Sequence, residues 1–514
     1  MPTTAFTRSL LFSLTLGLTI IRPAIAQDLP RGIPEKEGVP STAISDFLNA
    51  ASRGRTEFHS FMLLRHGKVL AEGWWNPYGP HLKHTLYSVS KTFTMTAVGL
   101  AIKEKKLKLT DKVVSFFPND LPAAVSPNLA ELTVKDALMM ADGQDPEPRA
   151  VSTDTNWARA FLAVPIVNKP GTKFLYNSMG TYMLSAIVQR ATGQKVLDYL
   201  KPRLFDPLGI IDEDWETSPQ GVNTGGWGLR LSTEDMAKFG QMMLQKGKFN
   251  GRQIVPRDWV EEATTMKILQ DPNASPAARD SSDWLQGYCF QMWRCRHNGV
   301  RADGALGQFI ILLPDQDAVV VMTAETPSMQ EEINLVWQYL LPSMQNWAYK
   351  EDPDGDARLK KQLSALALPP LEAKASAADF SVNGRTYALQ ANDWNLTSIG
   401  FSFQGGLWKV TIHDSKGSWP FSFGDGKWEH ATTDRPGPTI TSRAVNSAVG
   451  LAPFQVAGSY HWVDENTLEL VLRYIESPHT EEMVCHFDGD NIKIEDHYSF
   501  DYGKAPVVLT GSAQ

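Results

Sequence analysis

Cysteine is scarce in this chain. Cys289, Cys295 and Cys485 are the only three among 514 residues, too few for a disulfide-stapled scaffold. No Cys/His cluster has zinc spacing and H-E-x-x-H does not occur, so no metal site is expected. G-x-S-x-G is missing too, which excludes the nucleophile elbow of the α/β-hydrolases. Basic charge is not in excess: 49 Lys and Arg stand against 57 Asp and Glu, a net charge of -8. A surface of that sign attracts neither nucleic acid nor anionic lipid. Beyond residue 26 no apolar run is long enough to span a bilayer, and there is no internal repeat or low-complexity tract.

What is present is an ordinary globular composition, 42% hydrophobic and 21% charged, long enough for roughly two to four domains. Residues 1–26 have the pattern of a secretory signal peptide. Arg8 is the positive n-region, Leu10 to Ile21 the apolar stretch, and Ala24-Ile25-Ala26 an A-x-A cleavage site before Gln27. A cut after Ala26 predicts a periplasmic or secreted protein with no membrane span left. The alternative, an uncleaved anchor, lacks a stop-transfer pattern. Cys289 and Cys295 fall in one expected strand, Gly287 to Cys295, whose pitch separates them by roughly 20 Å, too far for a bridge. Free, buried thiols are expected.

Periodicity divides the remainder. Residues 27–350 mix strands and helices. Phe61 to Arg65 and Lys68 to Ala71 flank a His66-Gly67 turn and read as a hairpin. Helices are expected around Ile44, from Met95 to Ile102, through Tyr182 to Val188, over Thr233 to Leu244 and from Ile333 to Leu341. Strands return at Val300 to Gly304, Gln308 to Leu313 and Ala318 to Thr323. An antiparallel sheet split between the two ends of the domain, with helices inserted and flanking it, is an α+β plan. Residues 351–377 read as a linker. Residues 378–514 alternate with period two, as in Thr467 to Tyr474, and predict a C-terminal all-β barrel or sandwich domain.

The organising stretch is Leu86-Tyr87-Ser88-Val89-Ser90-Lys91, at the opening of an apolar helix. Positions i and i+3 share a helix face, so the Lys91 amine can reach the Ser88 hydroxyl. A serine hydroxyl becomes a nucleophile when a neighbouring base takes its proton. A lysine serves as that base once burial suppresses its charge. By itself Ser-x-x-Lys is common, and Ser88 as a plain N-cap is the competing reading.

Further along stand Tyr176-Asn177-Ser178 and Ala302-Asp303-Gly304. With Ser88-x-x-Lys91 in this order, the chain resembles the serine β-lactamase and penicillin-binding protein superfamily. The resemblance is to its class C β-lactamase-like branch of esterases and amidohydrolases, which includes the 6-aminohexanoate-dimer hydrolases, and covers roughly residues 30 to 345. It implies Ser88 as the acylated nucleophile, Lys91 as its base and Tyr176 as the proton relay to the leaving group and the deacylating water. A phenol lowered by a nearby ammonium suits that relay. The implied oxyanion hole is the backbone N–H of Ser88 and of Ala305, with Gly304 allowing the substrate a close approach. Asn177, Ser178, Trp227, Asp303 and Gly304 are the expected substrate-binding positions.

Two departures bear on substrate. Ser178 stands where the superfamily usually has Asn, with Asn177 displaced by one. Ala302 stands where it usually has Lys or His, and alternation turns Arg301 to the opposite face. Without that cation, neutral esters or amides are favoured over β-lactam or peptide carboxylates, unless Arg230 binds the carboxylate. Asp303 either orients an amine leaving group or pairs with Arg301, and Trp227 is either a pocket wall or core. The expected activity is hydrolysis of a small ester, amide or peptide-like substrate through a Ser88 acyl-enzyme, with no cofactor. The alternatives are a β-lactamase or D-alanyl peptidase, and a binding protein whose chemistry is vestigial. The oligomeric state is not readable.

Overall fold

The computed structural model describes residue 1 and residues 28–148, 155–372, 380–441, 451 and 453–514. Apart from Met1, the expected signal segment lies outside the described residues. Among them, no helix is long and apolar enough to cross a membrane.

Helix α1 (Ser41–Ala51) precedes strands β1 (Glu57–Arg65) and β2 (Lys68–Trp74). The hairpin forms because His66 and Gly67 both adopt left-handed φ, 48° and 74°, the two-residue turn that matches strand twist. Strands β3 (Trp293–Arg294), β4 (Val300–Gly304), β5 (Gln308–Leu313) and β6 (Ala318–Glu325) complete an antiparallel sheet of order β2-β1-β6-β5-β4-β3. The sheet is thus split in sequence, as expected. Both faces are covered. Met62, Leu64, Val319 and Val321 join one core, while Phe61, Leu63, Val320 and Met322 join the other.

The first core packs beneath α2 (Ser90–Lys103), α3 (Ser178–Thr192) and α4 (Thr233–Leu244). Helix α2 is buried all round from Ser90 to Ala101, which is why its sequence shows an apolar block rather than a stripe. The second core packs beneath α1, α5 (Met329–Leu335, continued by a wider turn to Leu340) and α6 (Pro353–Ser364). Helix α6 occupies the stretch expected as a linker, and its Leu359 is buried in the second core.

Gly287 to Cys295 is not the single strand expected. Gln291 has φ 54°, and the Cys289 N–H bonds to the Met292 carbonyl, folding the stretch into a tight turn. The Gln291 side chain donates to the Ala137 and Leu138 carbonyls and accepts from the Thr181 hydroxyl, so polar pairing overrides the strand pattern. The strand-spacing reason for unbridged cysteines therefore falls, although all three thiols are free and buried.

The C-terminal unit is a barrel with its own core, built from β7 (Thr386–Leu389), β8 (Leu396–Gln404), β9 (Leu407–Asp414), β10 (Gly417–Asp425), β11 (Glu429–Thr433), β12 (Phe454–Asp464), β13 (Thr467–Tyr474), β14 (Thr480–Asp488), β15 (Asn491–Tyr498) and β16 (Val507–Ala513). The ring runs β10-β9-β8-β7-β16-β15-β14-β13-β12 and closes through a short parallel contact of β10 with β12. Strand β11 pairs with the first half of β12. Closure covers part of the edge of β10, while β11 pairs with β12 alone. Trp408 and Trp462 are barrel core. Trp428 instead lies at the join between the units, near Tyr78 and Ile475, and donates to the Leu368 carbonyl at 2.9 Å.

The barrel is joined to the α+β unit by buried polar contacts. Arg473 on β13 makes a two-pronged ion pair with Glu57 on β1, at 2.5 and 3.0 Å. The turn between β13 and β14 reaches down to the residues just before Ser88.

Packing around α2 is tight enough to test. A Cβ at Gly99 would lie 2.0 Å from Nε1 of the Trp259 indole. Gly99→Ala should lower unfolding stability by about 2 kcal/mol through overpacking. A urea titration followed by circular dichroism measures it, and an unchanged midpoint would contradict this packing.

Candidate active site

Ser88 lies on a 3-10 turn, Tyr87–Val89, immediately before α2, rather than on the helix itself. Tyr87 adopts φ 47°, a left-handed conformation that costs a bulky L-residue about 1–2 kcal/mol. The turn is held from several sides. Leu86 N–H bonds to the Leu229 carbonyl at 3.0 Å, and Ser90 Oγ accepts the Leu229 N–H at 3.1 Å. Ser90 is thereby committed to the scaffold. Ser88 remains half-buried and reachable.

Lys91 is on the first turn of α2 and is 1% exposed. Its Nζ donates to Ser88 Oγ at 2.9 Å, to the Gly226 carbonyl at 2.7 Å and to Ser178 Oγ at 3.3 Å. Burial pulls the amine down to about 7, against the opposing pull of the Glu147 and Asp303 carboxylates. Near neutral pH a large fraction of Lys91 is therefore the free base.

Tyr176 completes the group. Its ring lies 4.7 Å from Lys91 Nζ, and its hydroxyl neighbours that of Ser88. It stacks on Trp293 with centroids 5.6 Å apart and meets Tyr288 edge-on at 6.3 Å. The expectation of a phenol lowered by a nearby ammonium is corrected. Burial, with the Asp303 carboxylate adding to it, holds the Tyr176 hydroxyl well above its ordinary value. Its resting state is a protonated donor.

The residues after Tyr176 divide their tasks. Asn177 turns inward and does not face the cleft. It is 1% exposed, caps α3 by accepting the Gly180 N–H at 3.0 Å, and donates to Gln144 Oε1 at 2.8 Å. Ser178 faces Lys91 instead, and its N–H donates to Glu147 Oε1 at 2.6 Å.

Strand β4 brings the third motif against the Ser88 turn. A Cβ on Gly304 would sit 2.2 Å from the Leu86 carbonyl, so the close approach at Gly304 is to the nucleophile turn itself. Gln308 Nε2 donates to the Ala305 and Ala324 carbonyls at 3.2 and 2.8 Å, fixing the turn that carries Ala305. Asp303 takes the pairing alternative, accepting from Arg301 Nε at 3.0 Å. The Arg301 guanidinium lies over Trp284 and Trp293, 4.3 and 5.4 Å from their centroids.

Two alternatives left open by the sequence are decided here, and Trp227 leaves the set of substrate-binding positions. Trp227 is core: it stacks on Trp157 at 5.9 Å and donates to Glu216 Oε2 at 3.1 Å. Arg230 cannot receive a substrate carboxylate. It is fully buried and committed to Asp214 at 2.5 and 2.8 Å and to Glu476 at 3.4 Å.

The sequence reading passed over Glu147, Gly226, Tyr288 and Trp293. Glu147 stands between Pro146 and Pro148, a context that stiffens a loop but does not reveal where it reaches. Gly226 acts through its carbonyl, which no side-chain pattern announces. The aromatic density from Trp284 to Trp293 was the visible sign of the wall behind Tyr176. Among the described residues no cluster of three or more His, Cys, Asp or Glu could hold a metal.

The Beta-lactamase family profile matches residues 50–341, more than half of the chain. A 6-aminohexanoate-dimer hydrolase from Paenarthrobacter ureafaciens is 27% identical over 288 residues, 52% of this chain and 72% of that protein. The human mitochondrial serine beta-lactamase-like protein LACTB is 32% identical over 196 residues, covering 30% of this chain and only 35% of its own length. Among solved structures, a candidate 6-aminohexanoate-dimer hydrolase from Bacillus anthracis superposes with TM-score 0.52 at 18% identity, over 62% of this chain and 88% of that one. At that identity the likeness speaks for the fold.

Asp142 offers a test of burial at the site's floor. Its carboxyl packs beside Gly180 under the first turn of α3, and burial pushes it up to about 8. An unfolded aspartate titrates near 3.9. A carboxyl raised on folding costs stability as pH climbs between those two values. Asp142→Asn should therefore match the wild type in melting temperature near pH 4 and exceed it increasingly up to pH 8. Parallel curves across that range in scanning calorimetry would contradict the buried, neutral carboxyl.

Proposed function

From the premise that the chain belongs to the β-lactamase family of serine hydrolases, we propose that it cleaves an ester or amide through a Ser88 acyl-enzyme. One observation carries the reading: a buried lysine amine, lowered to about 7, lies 2.9 Å from the Ser88 hydroxyl.

In the proposed first step, Lys91 accepts the Ser88 proton as Oγ bonds to the substrate's acyl carbon. The negative charge that develops on the carbonyl oxygen is held by the N–H groups of Ser88 and Ala305. Tyr176 gives its proton to the leaving oxygen or nitrogen as that bond breaks, and recovers one from Lys91. Water then attacks the acyl-enzyme, its proton passing to the Tyr176–Lys91 pair, and Ser88 leaves protonated. Ser178 and the Gly226 carbonyl keep Nζ aimed at Ser88 throughout.

The acyl group handled is neutral around the scissile bond. Ala302 supplies no cation, Arg230 is spent on Asp214 and Glu476, and Glu147 and Asp303 add negative potential beside Lys91. These features weigh against a β-lactamase or D-alanyl peptidase, whose substrates carry a carboxylate. The name of the Paenarthrobacter relative is in keeping with an amide substrate. Export is part of the proposal, supported by Arg8, the Leu10 to Ile21 run and Ala24-Ile25-Ala26.

A fluorophosphonate probe should label the purified enzyme at Ser88, and Ser88→Ala should abolish the label. Lys91→Ala should slow labelling about a thousandfold. An unlabelled wild type, with no turnover of p-nitrophenyl esters or short amides, would instead support a vestigial binding protein. Fast nitrocefin turnover would revive the β-lactamase alternative. The base must be neutral to work, so kcat/KM should rise about tenfold per pH unit below pH 7 and level off above it. A profile flat from pH 5 to pH 8 would remove Lys91 from the role of base.

A further inference from the structure

The C-terminal barrel touches the residues that precede Ser88. The turn joining β13 to β14, Ile475 to His479, makes three hydrogen bonds there. The Glu476 carbonyl accepts the Thr85 N–H at 2.9 Å and the Thr85 hydroxyl at 3.2 Å. His479 Nε2 pairs with the Tyr87 hydroxyl. Tyr87 and His479 are both buried, at 3% and 0% exposure. The turn is itself anchored. Arg230 pairs with the Glu476 carboxylate at 3.4 Å, Tyr78 donates to the Ser477 carbonyl at 3.1 Å, and the His479 ring packs against Phe500 at 4.5 Å. On the far side of the imidazole, Nδ1 lies 3.5 Å from Glu325 Oε2 at the end of β6, and that oxygen accepts the Ser499 hydroxyl at 2.7 Å.

The position being held is the strained one. Tyr87 is the residue immediately before Ser88, and its φ of 47° is left-handed. Such a conformation persists only where the surroundings over-determine it. Leu86 on one side is locked by the Leu229 carbonyl and by the contact with Gly304. On the other side the fixed point is the phenol. Its hydroxyl, kept protonated by burial, pairs with Nε2 and is also met by the Thr439 side chain and the Ile440 backbone, and the imidazole is backed by Glu325. Released from that anchor, the peptide between Tyr87 and Ser88 is free to relax toward an ordinary φ, which would swing Oγ away from Lys91.

We propose that His479 of the C-terminal barrel is a positioning residue for hydrolysis: through the Tyr87 phenol it holds the strained turn that aims Ser88 at Lys91. The barrel is then a working part of the active site rather than an appended module. This rests on the reading of Ser88 as nucleophile. A misplacement of about 1 Å at a reacting atom costs about a hundredfold in rate.

The test uses the full-length enzyme and the rate of fluorophosphonate labelling, with kcat and KM on a p-nitrophenyl ester beside it. His479→Ala and Tyr87→Phe should each slow labelling about ten- to a hundredfold, with KM within about twofold of wild type. His479→Gln, whose amide oxygen can still accept from the phenol, should restore most of the rate. The double variant should be no slower than Tyr87→Phe, which by itself already breaks the tie to His479. Tyr78→Phe removes a hydrogen bond to the same turn without touching Tyr87, and should leave labelling within about twofold of wild type. Should His479→Ala fail to fold, Tyr87→Phe keeps the buried ring and decides alone. Labelling of Tyr87→Phe at the wild-type rate, additive losses in the double variant, or an equal loss in Tyr78→Phe would overturn the positioning role while leaving Ser88 as nucleophile. A wild type that takes no label would overturn the Ser88 reading itself.

Discussion

The structure depends on keeping one lysine amine dry. Lys91 is sealed among Ser88, Ser178, the Gly226 carbonyl and the Tyr176 ring, and that enclosure lowers it from 10.5 to about 7. A change of that size corresponds to about 5 kcal/mol in favour of the neutral form. Glu147 and Asp303 pull toward the ammonium, so the balance is decided by exclusion of water rather than by nearby charge. The hydrogen-bond partners then decide where the free amine points.

Three separate parts of the chain build that enclosure. Helix α2 can be buried on every side because the sheet, α3 and α4 all pack on it. The loop around Gly226 reaches the amine only because the small strand Leu229–Leu231 binds the Ser88 turn through Leu86 and Ser90. Strand β4 presses Gly304 against the Leu86 carbonyl. The barrel adds the last constraint, through Glu476 and His479. The candidate nucleophile is fixed less by its own helix than by what converges on the two residues before it.

Local chemistry was legible in the sequence where it is local. Ser88 and Lys91 are three apart on one helical turn, so their contact follows from helix geometry. The β1–β2 hairpin announces itself through His66-Gly67, and the barrel through period-two alternation ended by Gly turns. The α+β plan with its split sheet followed from the strand runs at the two ends of the first unit. What stayed hidden depends on contacts distant in sequence. Glu147 reaches Ser178 from a loop whose residues carry no periodic signal. Asn177 looked like a site residue because it sits in a motif, yet a helix cap needed its side chain more. Gly287 to Cys295 has strand-forming residues, but Gln291 is held by Ala137, Leu138 and Thr181, and the backbone bends to let it. The Tyr176 phenol was misjudged for a similar reason: burial raises it more than the Ser88 hydroxyl and the Arg301 charge lower it. The tie between Tyr87 and His479 spans 392 residues of sequence and leaves no local trace.

The ionisation of Lys91 can be read directly. Protein carrying 13C at the lysine ε-carbons, compared with a Lys91→Arg variant, should show one resonance that titrates with a midpoint near 7 and is missing from the variant. If every lysine resonance titrates near the unperturbed value of about 10.4, the amine is a solvated ammonium and the account of Ser88 activation fails.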